Sequence, residues 1–131
     1  MGTTYLLDTN TAIYFLDGLL PQSALVFVTD ALNEQGSFLS VITKIELLGW
    51  QAGSPHKMRD VEDFVQDSEI VPLTDAVVDK TVEIRRTVKI KLPDAVIAAT
   101  AIVHDFTLIS RNDDDFRKVP GLKYLNPFTD I

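Results

Sequence analysis

Cysteine is absent from this chain of 131 residues, and histidine occurs only twice. The first absence excludes disulfides, thiolate nucleophiles and cysteine-ligated zinc. The second leaves too few imidazoles for a histidine-rich metal site, and His104, near a predicted helix end, reads as a capping or packing residue. Long apolar runs are also missing. The longest, Ala95 to Val103, falls well short of the roughly 18–20 residues that span a bilayer. The opening MGTTYLLD has no basic region and no small-residue cleavage site, so no secretory leader is expected. Gly2 lacks the Ser or Thr four residues on that a myristoylation signal needs. A cytoplasmic setting is the default expectation. No glycine-rich loop follows the first apolar run, which removes a dinucleotide-binding fingerprint. Basic residues are outnumbered 12 to 19, for a formal charge of −7, which argues against bulk-charge binding to nucleic acid.

What is present is a strand–helix alternation in a chain that is 46% apolar. Tyr5–Leu7 reads as a short buried strand ended by Asp8, and Thr9 as the cap of a helix that stops at Gly18. Pro21 opens a helical segment to Gly36, although Val26–Val28 also suits a strand. Phe38–Val41 is a second strand, followed by a helix capped at Thr43 that stops near Gly49 or Gly53. Helix continues over Lys57–Val65. Glu69–Leu73 is a third strand, and Asp75–Thr87 an amphipathic helix with Val78, Thr81, Val82 and Arg85 at helical spacing. Pro93 fits the first position of a helix ending near His104. Phe106–Ser110 is a fourth strand, Asp113–Lys118 a short helix, and GLKYLNPF a brief edge strand. Short apolar strands separated by helices predict an α/β fold, with a mostly parallel central sheet between helical layers. No linker or repeat divides the chain, so one domain over residues 1–131 is expected.

The carboxylates fall in a pattern. In a parallel sheet, ligands bind beyond the carboxyl ends of the strands. Asp8 ends the first strand, Glu46 lies one turn into the helix after the second, and Asn112 to Asp115 follow the fourth. Asp94 joins them if the two helices before the fourth strand carry it to the same edge. Carboxylates crowded together repel unless a cation neutralises them. An all-oxygen donor set suits Mg²⁺ or Mn²⁺, and such a site serves phosphodiester hydrolysis. Each acid also has a plainer reading. Glu46 stands at capping-box spacing from Thr43. Asp94 and Asp113 to Asp115 suit helix starts through the dipole alone. Asp8 is harder to explain this way, because a carboxylate ending a buried strand needs a partner. The basic run RRTVKIK, Arg85 to Lys91, and Arg111 are candidate phosphate contacts, or solvated surface. Trp50, Tyr14, Phe15 and Phe64 read as core or interface.

Taken together, these segments resemble the PIN-domain ribonuclease family, and within it the small toxins of the VapC kind. YLLDTNTAIYFL is similar to the first family motif, with Asp8 as metal ligand and Thr9 and Asn10 beside it. LSVITKIELLGW resembles the second, where Ser40 and Thr43 precede Glu46. In KLPDAVIAATAIVHDFTLISRNDDDF, Asp94 matches the central family aspartate. Ser110 and Asn112 match the positions after the fourth strand, and Asp115 with Phe116 the acidic-aromatic ending. The likeness covers nearly the whole chain. It departs at Asn112, where many members carry aspartate, and Asp113 or Asp115 is left to supply the fourth carboxylate. The resemblance implies a PIN-like three-layer α/β/α fold and a Mg²⁺- or Mn²⁺-dependent endoribonuclease leaving 5′-phosphate and 3′-hydroxyl ends. Asp8, Glu46, Asp94, Asn112 and Asp115 would form its site, with Arg111 and Asp113 beside them. It implies a homodimer, and a cognate antitoxin whose C-terminal tail occupies the acidic groove. The apolar residues Tyr14, Phe15, Leu16, Leu19, Leu20, Leu47, Leu48 and Trp50 are the candidate dimer surface. Other readings are a phosphatase or DNA nuclease with the same acids, and a PIN-fold RNA- or protein-binding domain with weak or no catalysis. A phosphoacceptor receiver domain fits poorly, since the first strand is followed by a lone Asp8.

Overall fold

The computed structural model describes residues 2–131. In chain order its elements are β1 (Tyr5–Leu7), α1 (Thr9–Leu16), α2 (Gln22–Gln35), β2 (Phe38–Ser40), α3 (Val41–Gly49), α4 (Pro55–Asp67), β3 (Glu69–Val71), α5 (Asp75–Thr87), α6 (Leu92–Val103), β4 (Thr107–Ile109), α7 (Asp113–Phe116) and β5 (Tyr124–Leu125). The five strands form one sheet in the order β3-β2-β1-β4-β5. Every pairing is parallel, so the expected mostly parallel sheet is wholly parallel. Leu7 pairs with Ile109, which places Asp8 beside Ser110 one residue later.

Each strand sends alternate side chains to opposite faces, and both faces are covered. Leu6, Val71 and Leu108 pack with α5 and α6 residues such as Val77, Ile84 and Ile97. Leu7, Leu39 and Ile109 pack with Ala12, Val28, Leu47 and Val61 from α1 to α4. This is the three-layer α/β/α arrangement. Leu20 and Leu47, expected at a dimer surface, are core residues here, at 8% and 0% exposure, whereas Leu19 remains 61% exposed. Val26 and Val28 lie in helix, not strand.

The strand order fixes where a site can form. From β1 the chain steps to β2 and β3 on one side, then returns across the sheet to β4 on the other. The helices that follow β1 and β4 therefore diverge, and a crevice opens at their shared carboxyl edge. The return is made by α5 and α6, which pack extensively on each other. As a pair they go out and back, and α6 begins at the site's edge. This settles the route of Asp94, which lies in the first turn of α6.

Several local expectations shift by a few residues. Ser40, not Thr43, caps α3, because its Oγ accepts the Thr43 N–H at 3.1 Å. Asp8, not Thr9, holds the N-cap position of α1. The helix after β2 ends at Gly49. A new one starts after Ser54, whose Oγ accepts the Lys57 N–H, with Pro55 in its first turn. Pro72 shortens β3 to Val71 by removing a ladder donor. His104 caps the end of α6 and stacks on Phe106, centroids 5.6 Å apart, as a packing residue should.

Candidate active site

The helices α1, α3, α6 and α7 all begin at the carboxyl edge of the sheet; Asp8 is the N-cap of α1, Asp94 and Asp115 lie in the first turns of α6 and α7, and Glu46 lies in the second turn of α3. Partial positive charge at helix starts favours carboxylates there. A cleft of about 450 Å³ is lined by Asp8, Thr9, Asn10, Glu46, Trp50 and Asp94. A smaller recess of about 250 Å³ is lined by Asp8, Asn10, Tyr14, Arg111 and Asn112. Asp8 belongs to both.

Asp8 is only 4% exposed. The Ser110 hydroxyl donates to its Oδ2 at 2.8 Å, and that same Oγ accepts the Asn112 N–H at 3.0 Å. Burial pushes the Asp8 carboxyl up to about 6 against the relief from Ser110, and the charges of Asp94 and Glu46 push it further. Asp94 is also raised, first by burial and then by Asp115 and Glu46, while Lys91 at the helix start opposes this. The four acids thus sense one another across one small space. That is the signature of a site short of positive charge.

Glu46 is aimed by a chain of hydroxyls. Thr9 Oγ1 lies 2.6 Å from Glu46 Oε1 and 3.0 Å from Thr43 Oγ1. A hydroxyl has one proton, and the carboxylate can only accept, so Thr9 donates to Glu46 and Thr43 donates to Thr9. The Ser40 hydroxyl donates to Thr43 Oγ1 at 3.3 Å. Glu46 therefore does not complete a capping box with Thr43. Instead, the chain ties the ends of β1 and β2 together and turns the acid toward the cleft. Replacing Thr9 with Val should lower any metal-dependent activity by about tenfold, in line with losing a partner that orients a ligand. Thr9→Ser should stay within about threefold because it keeps the hydroxyl. Equal rates for the Thr9→Val and Thr9→Ser proteins, measured at limiting metal, would remove this role.

The last cluster separates into distinct parts. Asn112 caps α7. Its Oδ1 accepts the Asp115 N–H at 3.3 Å and its Nδ2 donates to Asp115 Oδ2 at 3.0 Å. Asn112 thus acts on Asp115 at both ends of its amide. Asp115 faces Asp94. Asp113 turns elsewhere, accepting from Asn126 Nδ2 at 3.2 Å and lying 3.9 Å from Arg117. Of the two candidates for the fourth carboxylate, Asp115 is the one within the cluster. Lys118 stands 3.7 Å from Asp115 and donates to the Lys89 carbonyl, so a basic rim of Lys89, Lys91 and Lys118 borders this end of the cleft. Arg85 donates to the Ile90 carbonyl at 3.1 Å and shapes that loop.

Among the described residues, no three His, Cys, Asp or Glu side chains form a ready-made coordination shell. The donor set still fits a hydrated hard cation. It is all oxygen and carries uncompensated charge, and Mg²⁺ usually takes one or two carboxylates directly and keeps several waters.

In the sequence Trp50 and Tyr14 look like core or interface residues, and nothing there gives Phe128, Asn126 or Lys118 an individual role. Trp50 forms a wall shared by the acidic cleft and a groove of about 760 Å³ lined by Leu48, Pro55, Met58 and Glu62. Its place directly after the glycine that ends α3 was the available signal.

The family described as PIN domain matches residues 5–122. Among solved structures, a toxin–antitoxin complex from Klebsiella pneumoniae has 30% identity and a TM-score of 0.75, over 95% of this chain and 98% of that one. VapBC from Salmonella typhimurium bound to DNA has 21% identity and a TM-score of 0.79, over 96% and 99%. VapBC2 from Rickettsia felis, bound to a fragment of its promoter, has 22% identity and a TM-score of 0.78, over 93% and 97%. A comparison with curated proteins finds no match.

Proposed function

The chain belongs to the PIN domain family, and from that premise we propose that it is the VapC-like nuclease toxin of a toxin–antitoxin pair, a divalent-metal-dependent endoribonuclease acting in the cytoplasm. The observation that carries this reading is the convergence of Asp8, Glu46 and Asp94 on one cleft at the sheet's switch edge. Residues 1–131 act as one nuclease domain. Mg²⁺ or Mn²⁺ would be held by Asp8, Glu46, Asp94 and Asp115, and would supply electrophilic stabilisation of the phosphodiester and a more acidic attacking water.

The chain's own residues do the rest. Ser110 fixes one Asp8 oxygen at the wall of the cleft. Thr9, Thr43 and Ser40 orient Glu46, and Asn112 holds Asp115. Carboxylates that do not ligate directly accept hydrogen bonds from water and direct a lone pair at phosphorus. Lys89, Lys91 and Lys118 take phosphates along the basic rim. This gives part of the RRTVKIK run a role in RNA contact despite the chain's net negative charge. The purified chain should cut single-stranded RNA, but not DNA of the same sequence, into fragments with 5′-phosphate and 3′-hydroxyl ends. Equal cutting of both would favour the DNA nuclease alternative.

The partner is an antitoxin whose C-terminal tail lies along the groove beside Leu48, Trp50 and Met58 and places a basic group among the acids. The groove and the acidic cleft share Gly49 and Trp50, which supports one continuous track. Changing the tail's basic residue to alanine should raise the partner concentration for half-inhibition by about tenfold or more, as losing a buried charge pair does. The pair should stay associated through apolar contacts. Full inhibition by a partner lacking its tail would overturn this arrangement. A homodimer belongs to the same reading, through exposed apolar residues such as Leu19 and Leu48. Sedimentation showing a monomer at every concentration would remove it.

A further inference from the structure

Arg111 follows directly on Ser110 at the end of β4, on the Asp8 side of the cleft. Its guanidinium carbon lies 4.3 Å from the centroid of Phe128 and 5.9 Å from that of Tyr14. The two rings meet edge to face, centroids 5.8 Å apart at 71°. Among the described residues no carboxylate lies within ion-pair distance of Arg111, although the chain carries 19 acids and the recess is shared with Asp8. A guanidinium lying on a ring keeps its edge donors available, and that flat fork matches the oxygens of a phosphate.

The platform under Arg111 is tied in place. The Phe128 N–H donates to Asn126 Oδ1 at 2.9 Å, and the Asn126 N–H donates to Asp130 Oδ2 at 2.8 Å. Asn126 is 3% exposed, and its Nδ2 donates to Asp113 Oδ2 at 3.2 Å. The C-terminal turn is therefore bonded to α7, the helix that begins at Asn112 and carries Asp115.

We infer that Arg111 is a phosphate-binding arm of the cleft, gripping an RNA phosphate beside the one that is cut, and that Phe128 with Tyr14 positions it. The inference rests on the nuclease reading for its ligand. An anion is favoured as occupant because Arg111 has all its donors and no acid partner. A phosphodiester is favoured over a partner's carboxylate because Arg111 shares its recess with Asp8, where the substrate phosphate must pass.

The test uses the full chain and a fluorescent single-stranded RNA. Binding is followed by anisotropy in chelator across a salt series, and initial rates are measured with Mg²⁺. Arg111→Ala should weaken binding about tenfold and lower the slope of log affinity against log salt by about 0.7, the value for one phosphate contact on a single strand. KM should rise while kcat stays within about threefold, as for a contact equal in ground and transition states. Arg111→Lys should fall between, since an ammonium keeps charge but loses the fork. Phe128→Ala should show a smaller loss of the same kind, and Phe128→Trp should restore it. Thermal melting of each variant separates misfolding from lost contact, and the exposed Arg111 should leave the midpoint unchanged.

An Arg111→Ala protein that binds and cuts RNA as well as the parent overturns the inference and leaves the nuclease reading intact. Arg111-dependent RNA binding without any cleavage by the parent supports the phosphate contact, and removes the nuclease reading together with the placement beside a cut phosphate. A parent that binds no RNA removes the inference. So does an Arg111→Ala protein whose only defect is weaker binding of a protein partner, which would make this an acidic-peptide contact. Phe128→Ala behaving as the parent while Arg111→Ala fails would remove the positioning role.

Discussion

Asp8→Asn should lower the rate of RNA cleavage at saturating Mg²⁺ by at least about 100-fold, which corresponds to about 2.7 kcal/mol of lost transition-state stabilisation. The substitution keeps shape and can still accept the Ser110 hydroxyl, so it removes charge and little else. Asp8 has the most central place among the acids. It lines both recesses, ends the central strand, and feels Asp94 and Glu46. An amide oxygen there can still face a cation but cannot neutralise it. Rates equal to the parent's, measured with enough Mg²⁺ to saturate both proteins, would rule out Asp8 as a ligand.

The same substitution should have the opposite effect on the metal-free fold. The Asp8 carboxyl is raised from 3.8 to about 6 on folding. Below pH 4 both the folded and unfolded chains hold its proton, and its contribution is at its most favourable. Between about pH 4 and 6 the unfolded chain releases the proton first, so stability falls as pH rises, and above about 6 the loss is complete. The loss is on the order of 2–3 kcal/mol for a shift of this size at a buried site. Asp94, also raised, adds in the same direction. Denaturant unfolding in chelator should find the parent less stable at pH 7.5 than at pH 5. Asp8→Asn should recover about 2 kcal/mol at the higher pH, since an amide has no charge to bury. Mg²⁺ should then stabilise the parent more than the variant. A destabilised variant at pH 7.5 in chelator would mean that the Asp8 charge is already compensated within the protein.

The order of elements and the positions of the acids were readable because they depend on local pattern. Short β-branched and leucine-rich runs alternate with helical periodicity, and β1, β2 and β4 run into the polar residues Asp8, Ser40 and Ser110. The route of Asp94 was not readable in this way. It depends on α5 and α6 packing as a pair, which is a tertiary fact. Thr43 was misread as a cap for a related reason. Ser40 and Thr43 both suit the start of α3, and only the end of the β2 ladder at Ser40 decides which residue is first. The choice between Asp113 and Asp115 depended on Asn126, thirteen residues beyond Asp113, which no local rule connects to it. The same turn hid Phe128, whose partner Arg111 looks in sequence like one more surface charge. Leucines at 20 and 47 were assigned to an interface because hydropathy does not distinguish a core face from an intersubunit one.

The most direct test of the central account is the rate of RNA cleavage by the purified, partner-free chain across a Mg²⁺ titration, with chelator as the zero point. The account predicts no cleavage in chelator, a saturable rise with Mg²⁺, and comparable support by Mn²⁺, another hard oxygen-seeking cation. Cleavage that persists in chelator at the rate seen with Mg²⁺, or a chain that cuts no RNA at any Mg²⁺ concentration, would contradict it.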